Sequence, residues 1–515
     1  MTHLIRFIIL LLAVILPATV TAHDFELGGI YYIIDGTNAT VTSPPSNNKY
    51  IGEVAIPSSV TYNGKTFSVT SIGDYAFYGC SSLTSITIPS SVTSIGEWAF
   101  NGCDVLTCVN IMDLTSWCSI LFNDYDSNPL RYAHHLFLNG EEVKVLVIPN
   151  SISAIANLAF TGCSGLTSVV IPNSITTIGY AAFSNCSNLM SITMPNSVIS
   201  IKENAFYETA WYKNQPDGVV YAGLIAYQYK GTMPDGTSID IKNGTLGIAE
   251  KAFFCCSELA HVTIPNTVTT IEGAAFFNCN GLTNITIPNS VTNIGYSVFC
   301  GCSGLTSVNI PDSITIINNS TFSGCSSLTD IYIPNSVTTI DAGAFSWCVG
   351  LESITIPKSV SAIGVLAFSH CNGLSSITIP KSVTTIGDQA FSWCEKLNDV
   401  YCSIDDLSQI TMGASVFFRN PKNYTERTLH VPHGSLASYQ ADSKWNQYFG
   451  YIEEMGLMLG DVDGDSIISI ADVVELIDIL QSGNVSAADY PTADVNSNGI
   501  VNIADVIELI DQLLN

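Results

Sequence analysis

Apolar residues return along most of this chain at a fixed interval. In one stretch Leu83, Ile86, Ile88, Val92, Ile95, Phe100 and Cys103 stand among serines, threonines and glycines, and the same spacing repeats every 23 residues. Aligned on an Ala-Phe-x-x-Cys signature, the segments place cysteines at Cys80, Cys103, Cys163, Cys186, Cys256, Cys279, Cys302, Cys325, Cys348, Cys371 and Cys394. Phe206 opens an equivalent segment with Thr209 in the cysteine position, which makes twelve units. Longer intervals, Cys103 to Cys163 and Thr209 to Cys256, mark irregular inserts near 110–150 and 210–248. Within a unit, Ile86-Thr87-Ile88-Pro89 alternates with period two, so it predicts a short strand stopped by a residue that cannot donate to a ladder. The Ile95 to Cys103 piece has apolar spacings of four to five and then three, which predicts a short helix or helical turn. A strand and a turn cannot bury an apolar side alone, so the units must stack into a solenoid.

Stacking assigns the cysteines a place. Successive strands lie about 4.8 Å apart, so each thiol sits over the next in a buried column, where it acts as a small hydrophobe. A regular column offers no unique pairing, which leaves Cys108, Cys118, Cys255, Cys300 and Cys402 as the places for a disulfide. If Ile86 and Ile88 point inward, Thr87 points outward on a concave sheet, and its column includes Asn110, Val170, Thr193, Tyr332, Thr355, Thr378 and Tyr401. Residues 281–380 hold only five Asp, Glu or Lys side chains, so this face suits contact-range hydrogen bonding to a glycan or protein rather than long-range steering. The position before the repeat cysteine holds Trp347, His370 and Trp393 in three consecutive units. These rings can form a strip that stacks on sugar rings or an aromatic-seeking protein patch, or simply a ladder between units.

The N-terminus changes the expected compartment. Arg6, the apolar run from Phe7 to Leu16 and Val20-Thr21-Ala22 form a signal-peptide pattern for residues 1–22, and the mature chain would start at His23. The run is too short to span a bilayer and no later segment is longer, so no transmembrane segment is expected. A net charge of −27 over 515 residues excludes nucleic acid as a partner. No nucleophile-elbow, zincin or P-loop string occurs, and His134-His135 has no ligand at metal spacing, so no catalytic residue is expected.

The stretch SLTSITIPSSVTSIGEWAFNGC resembles the BspA-like, Treponema-type leucine-rich repeats of bacterial surface proteins. The resemblance spans roughly residues 24–455 and departs from the general pattern in having Pro89 after Ile88 and no asparagine ladder. It implies a leucine-rich-repeat solenoid over 70–402, with an N-terminal β cap at 23–69 and a C-terminal cap at 403–457. It also implies adhesion to host proteins or other bacteria.

Past Gly456 the composition shifts: residues 461–515 carry eleven acidic residues and no Lys or Arg. Two similar segments 33 residues apart each fit a twelve-position calcium loop followed by a helix. Oxygen ligands would come from Asp461, Asp463, Asp465, Ser469 and Asp472 with the Ile467 carbonyl, and from Asp494, Asn496, Asn498, Asn502 and Asp505 with the Ile500 carbonyl, for two Ca2+ ions. The second loop has Gly499 at the sharp-turn position; the first has Ser466. Apolar stripes at Val473, Leu476, Ile477 and Leu480, and at Val506, Leu509, Ile510 and Leu513, predict two packed helices. GDVDGDSIISIADV and NSNGIVNIADV are similar to the type I dockerin repeat, over roughly residues 458–515. That resemblance implies a small all-α domain, a cohesin-like protein partner and recognition residues Ile470, Ala471, Ile503 and Ala504, which depart from the Ser-Thr pair of cellulosomal examples.

Together these readings lead to a secreted or surface-displayed, non-catalytic binding protein: a repeat array meeting a protein or glycan, and a calcium-dependent tail that docks it to another protein. The alternative is an accessory or catalytic component of a cohesin–dockerin polysaccharide-degrading complex.

Overall fold

The computed structural model describes residues 23–45, 48–419, 426–456, 459–462, 468–481, 490 and 492–514. The expected signal peptide at 1–22 lies outside them, and no described helix is long and apolar enough to cross a membrane. The chain divides into two compact units, residues 1–231 and 232–515.

The first unit opens with antiparallel strands Phe25–Leu27, Ile30–Asp35 and Asn38–Thr42. A hairpin of Ser59–Tyr62 and Lys65–Ile72 turns at Asn63 and Gly64, whose φ values of 51° and 73° suit the twist of a tight hairpin turn. From there pairing becomes parallel. Lys65–Ile72 leads to Ser94–Ile95 and Leu121–Phe122, while Ile51–Ala55 leads to Ser82–Ile88, Cys108–Ile111 and Leu136–Leu138. Beyond the first insert, Ser168 faces Ser191 and Thr177 faces Ser200, so the pairing register equals the 23-residue sequence period. The second insert forms the hairpin Gly218–Ala222 with Ile225–Lys230.

The second unit repeats the scheme. Gly247–Ile248, Thr270–Ile271 and Asn293–Ile294 form one parallel ladder; Ile316–Ile317, Thr339–Ile340, Ala362–Ile363, Thr385–Ile386 and Thr411–Met412 form another. Ser376–Ile379, Asp399–Cys402, Thr428–Val431 and Tyr451–Glu454 make the longest strands near the end of the array. There the helices Leu436–Ala441 and Ser443–Asn446 bring buried Tyr439 and Trp445 together, and Trp445, Tyr448 and Phe449 pack against Phe417. Arg427, also buried, donates to the carbonyls of Leu397 and Phe417. These contacts cover the last coil's apolar side, as the terminal unit of a stack requires.

Coil geometry refines the sequence reading in one respect. A two-residue strand occupies the Ile95 position, and the segment after it is a chain of turns rather than a helix. The reason is local: the residues five and one before the repeat cysteine have positive φ, as at Trp98 (56°) and Gly102 (77°) or Ser320 (54°) and Gly324 (75°). A right-handed helix cannot run through left-handed residues. Hydrogen bonding alternates instead. Ala76, Tyr78 and Cys80 donate three residues back within the coil, while Tyr75, Phe77 and Gly79 donate to the carbonyls of Glu97, Ala99 and Asn101 in the next coil. The coil edge therefore has its own ladder of hydrogen bonds, as buried backbone groups require.

Inside, Phe253, Phe276, Phe299, Phe322, Phe345, Phe368 and Phe391 stack with ring centroids 5.1–5.7 Å apart and planes within 11°. The thiols lie beside them. Cys103, Cys186, Cys279, Cys302, Cys325, Cys348, Cys371 and Cys394 each donate an S–H to the carbonyl of a phenylalanine 26 residues earlier, at 3.0–3.3 Å. The thiol thus links adjacent coils where the general repeat would use asparagine. Burial pushes Cys103, Cys163, Cys302, Cys348 and Cys394 up to about 12. All sixteen cysteines are free, including the five off-column candidates for a disulfide; Cys118 and Cys402 are buried, and Tyr439 donates its hydroxyl to the Cys402 sulfur. Cys256 alone in the column is half-buried.

Candidate metal loops and binding surfaces

The C-terminal helices Ile470–Gln481 and Ile503–Leu514 share one small core of Val473, Leu476, Ala493, Val495, Val501, Val506 and Leu509, with Val462, Ile468 and Leu480 packed against it. Two helices have only one mutual side, so not all of the expected stripe enters. Ile477, Ile510 and Leu513 remain more than a third exposed, and Ile479 takes an inner place instead. The loop residues Val462, Val495 and Val501 complete the core, so the loops and helices share one interior.

Those loops hold their acidic residues in place. Asp494 accepts from the N–H groups of Asn498 (2.9 Å) and Gly499 (2.7 Å), and Asp505 from those of Asn496 (3.2 Å) and Asn502 (2.8 Å). Asn498 Oδ1 accepts from Ile500 and Asn502 Oδ1 from Ala504. Gly499 has the positive φ, 82°, that the loop needs at that position. In the first loop Asp472 accepts from Val462 (2.8 Å) and Ser469 (2.7 Å), and Ser469 Oγ from Ala471, parallel to the Asn502–Ala504 contact. Asp463, Asp465 and Ile467 lie outside the described residues.

Charge decides what this arrangement fits. Asp472 and Asp505 are fully buried and Asp461 and Asp494 nearly so, yet residues 459–515 contain no Lys, Arg or His. Burying ionised carboxylates costs several kcal/mol each unless charge offsets it, and N–H groups supply only part of that. Carboxylate, amide, hydroxyl and carbonyl oxygens on one short loop suit a hard divalent cation. Among the described residues no three His, Cys, Asp or Glu cluster. The second loop brings two carboxylates, Asp494 and Asp505, and its other candidate oxygens are amide and carbonyl.

On the outside of this module Ile470 and Ile503 are 71% and 65% exposed. Val474 and Ile477 continue the first strip at helical spacing, and Ile507, Ile510 and Leu514 the second. The duplicated sequence therefore presents two matching apolar strips at loop positions 10 and 11 and along the helices.

The array's aromatic candidates fall into separate groups. Trp347 and His370 stack with centroids 3.8 Å apart, His370 and Trp393 follow at 5.6 Å, and Trp393 meets Phe418 edge-on. Stacked in this way, the rings cover most of one another's faces and offer mainly edges, with Trp347 the most exposed at 53%. All three have φ of 61–62°, in a column where Gly301 and Gly324 precede them. A bulky residue there costs about 1–2 kcal/mol relative to glycine's free choice, so the stack is built against backbone preference. Desolvation lowers the His370 pKa, which keeps the middle ring neutral. Tyr401 stacks instead on His430 at 4.3 Å, and Tyr332 stands exposed in the strand-face column.

Comparison with known proteins agrees with this architecture. The profile of the BspA type leucine rich repeat region matches in six copies over residues 48–128, 132–215, 226–351 and 315–430. The protein belongs to this family of repeat solenoids. Its C-terminal module is a dockerin type I domain, matched over residues 459–514, a class that binds calcium and implies a cohesin as protein partner. Similar solved structures include a leucine-rich repeat protein from Bacteroides ovatus (26% identity, covering 84% of this chain and 100% of that one, TM-score 0.37). A leucine rich cell surface protein from Faecalibacterium prausnitzii is 27% identical, covering 75% and 96%, with a TM-score of 0.30. A leucine-rich repeat protein from Eubacterium ventriosum is 26% identical, covering 71% and 93%, with a TM-score of 0.34. No curated protein matches the chain.

Proposed function

We propose that the protein is a non-catalytic binding protein of the cell exterior, with an array that meets a protein or glycan and a tail that docks the array onto a cohesin-like module in a calcium-dependent way. The observation that carries this reading is the pair of loop carboxylates Asp494 and Asp505, buried in a module without a cationic side chain. Two Ca2+ ions would be held by Asp461, Asp463, Asp465, Ser469, Asp472 and the Ile467 carbonyl, and by Asp494, Asn496, Asn498, Asn502, Asp505 and the Ile500 carbonyl. Bound calcium supplies the positive charge that lets the loops close over the shared core. Ile470, Ala471, Ile503 and Ala504 then offer an apolar contact in place of a hydroxyl pair, so the complementary cohesin face is apolar and binding tolerates salt. On the array, Trp347, His370, Trp393, Tyr332 and Tyr401 are the proposed ligand contacts, with the exposed edge and outer face of Trp347 foremost.

Capture of the full chain on immobilised cohesin modules tests the docking half. Binding in calcium, its loss in chelator and its loss in the Asp472→Asn/Asp505→Asn double variant support the reading. Equal capture with and without calcium, or none from a panel of cohesins, overturns it.

A further inference from the structure

We propose that a groove in the first unit, between the first insert and the turns of three successive coils, binds a neutral oligosaccharide. It encloses about 650 Å³, which falls in the usual range for small-ligand sites. The insert lines it with Tyr125, Arg131 and His134, and the coils with Ser184, Asn185 and Tyr207 among others. This site involves neither the calcium module nor the Trp347 stack, and goes beyond both.

The groove is preformed because the insert is seated tightly. His134 Nδ1 donates to the Gly162 carbonyl at 2.9 Å, Asn128 Nδ2 to the Leu158 carbonyl at 2.7 Å and Trp117 Nε1 to the Ala159 carbonyl at 2.9 Å. A Cβ on Gly162 would lie 2.8 Å from the Arg131 Cα, so no larger residue fits beneath the insert without a shift. The 60-residue interval between Cys103 and Cys163 thus contains an enlarged coil whose strands Leu121–Phe122 and Leu136–Leu138 continue the ladders while its extra residues wall one side of the groove.

Its chemistry selects the ligand. The single cationic lining side chain, Arg131, is paired with Asp126 at 3.0 Å and lies over the Tyr125 ring, so its charge is offset beside the groove. Other polar lining groups are neutral: the hydroxyls of Ser164, Ser187 and Tyr207 and the amides of Asn185 and Asn204. Tyr207 lines the groove and is 44% exposed, so part of its ring is open to a ligand. Hydroxyl and amide partners around an aromatic face match a sugar's hydroxyl rim and C–H face. A peptide would need a strand edge or apolar pockets, which do not line the groove.

The test is calorimetric titration of the full chain with cellohexaose, xylohexaose, maltohexaose and mannohexaose, and with the anionic hexagalacturonate. At least one neutral oligosaccharide should bind, with affinity falling about tenfold or more in Tyr207→Ala, since the ring face is lost. Tyr207→Phe, which keeps the ring, should stay within about threefold of the parent and guards against misfolding as the explanation. Trp347→Ala should bind as the parent does, which separates this site from the proposed strip. Binding of hexagalacturonate alone, binding of none of the neutral probes, or equal affinity in Tyr207→Ala overturns the proposal.

Discussion

The repeat array and the C-terminal module bury their polar groups by opposite means. In the array each coil satisfies its neighbour: strand ladders, alternate turn N–H groups and S–H donors find carbonyls in the adjacent coil, the other turn N–H groups close on their own coil, and stacked phenylalanines fill the space between. In the module the described residues bury Asp461, Asp472, Asp494 and Asp505 beside a small apolar core, and the module's own sequence supplies no Lys, Arg or His. A repeat stack is a sum of nearest-neighbour terms and is self-sufficient, whereas on the proposed reading the acidic loops take their counter-charge from calcium.

The largest expected contrast is therefore the response to chelation. Removing calcium from the full chain should abolish the module's protection from proteolysis and amide exchange while leaving the array's protection unchanged; equal protection of both regions in chelator would erase the distinction drawn here. Alkali should act the other way round. Burial raises every column thiol above its ordinary value near 9, and Cys103, Cys163, Cys302, Cys348 and Cys394 up to about 12, so the folded array holds its protons longer. Their contribution is complete below pH 9 and is lost progressively as pH rises from 9 toward 12. Array stability followed by denaturant midpoint should fall through that window, and less steeply in Cys348→Ala/Cys371→Ala.

Two substitutions probe the array more finely. Phe345→Ala removes a fully buried ring stacked on both sides and should cost about 3–5 kcal/mol, measured by denaturant unfolding. A cost under about 1 kcal/mol would mean that the stack fills space without holding the coils together. The smallest effect belongs to the Trp347 position. Trp347→Gly relieves a strained φ while losing one ring contact, so its net change should lie within about 1 kcal/mol of zero. Trp347→Ala keeps the strain and loses the ring, and should be the less stable of the two.

How much of this was legible beforehand depends on the kind of interaction. The thiol column and the inward Ile86 and Ile88 follow from spacing, because a repeating chain must place equivalent residues above one another. The left-handed turn residues were not legible where Trp347, His370 and Trp393 stand, since only glycine or asparagine announces positive φ. Ile477 and Ile510 satisfied the helical stripe yet face outward, because a two-helix core is narrower than the stripe. The Tyr207 groove left one trace, the 60-residue interval, which says that something is inserted and not what it encloses.

The order of residues by itself determined the coil period, the stacked interior and the position of the acidic loops, since these depend on intervals along one chain. Tertiary structure alone decided which carbonyl each thiol bonds, which rings cover one another and where an insert meets a coil edge. Those contacts join residues whose separation reflects how segments fit in space, and shape complementarity between distant segments has no signature in local spacing.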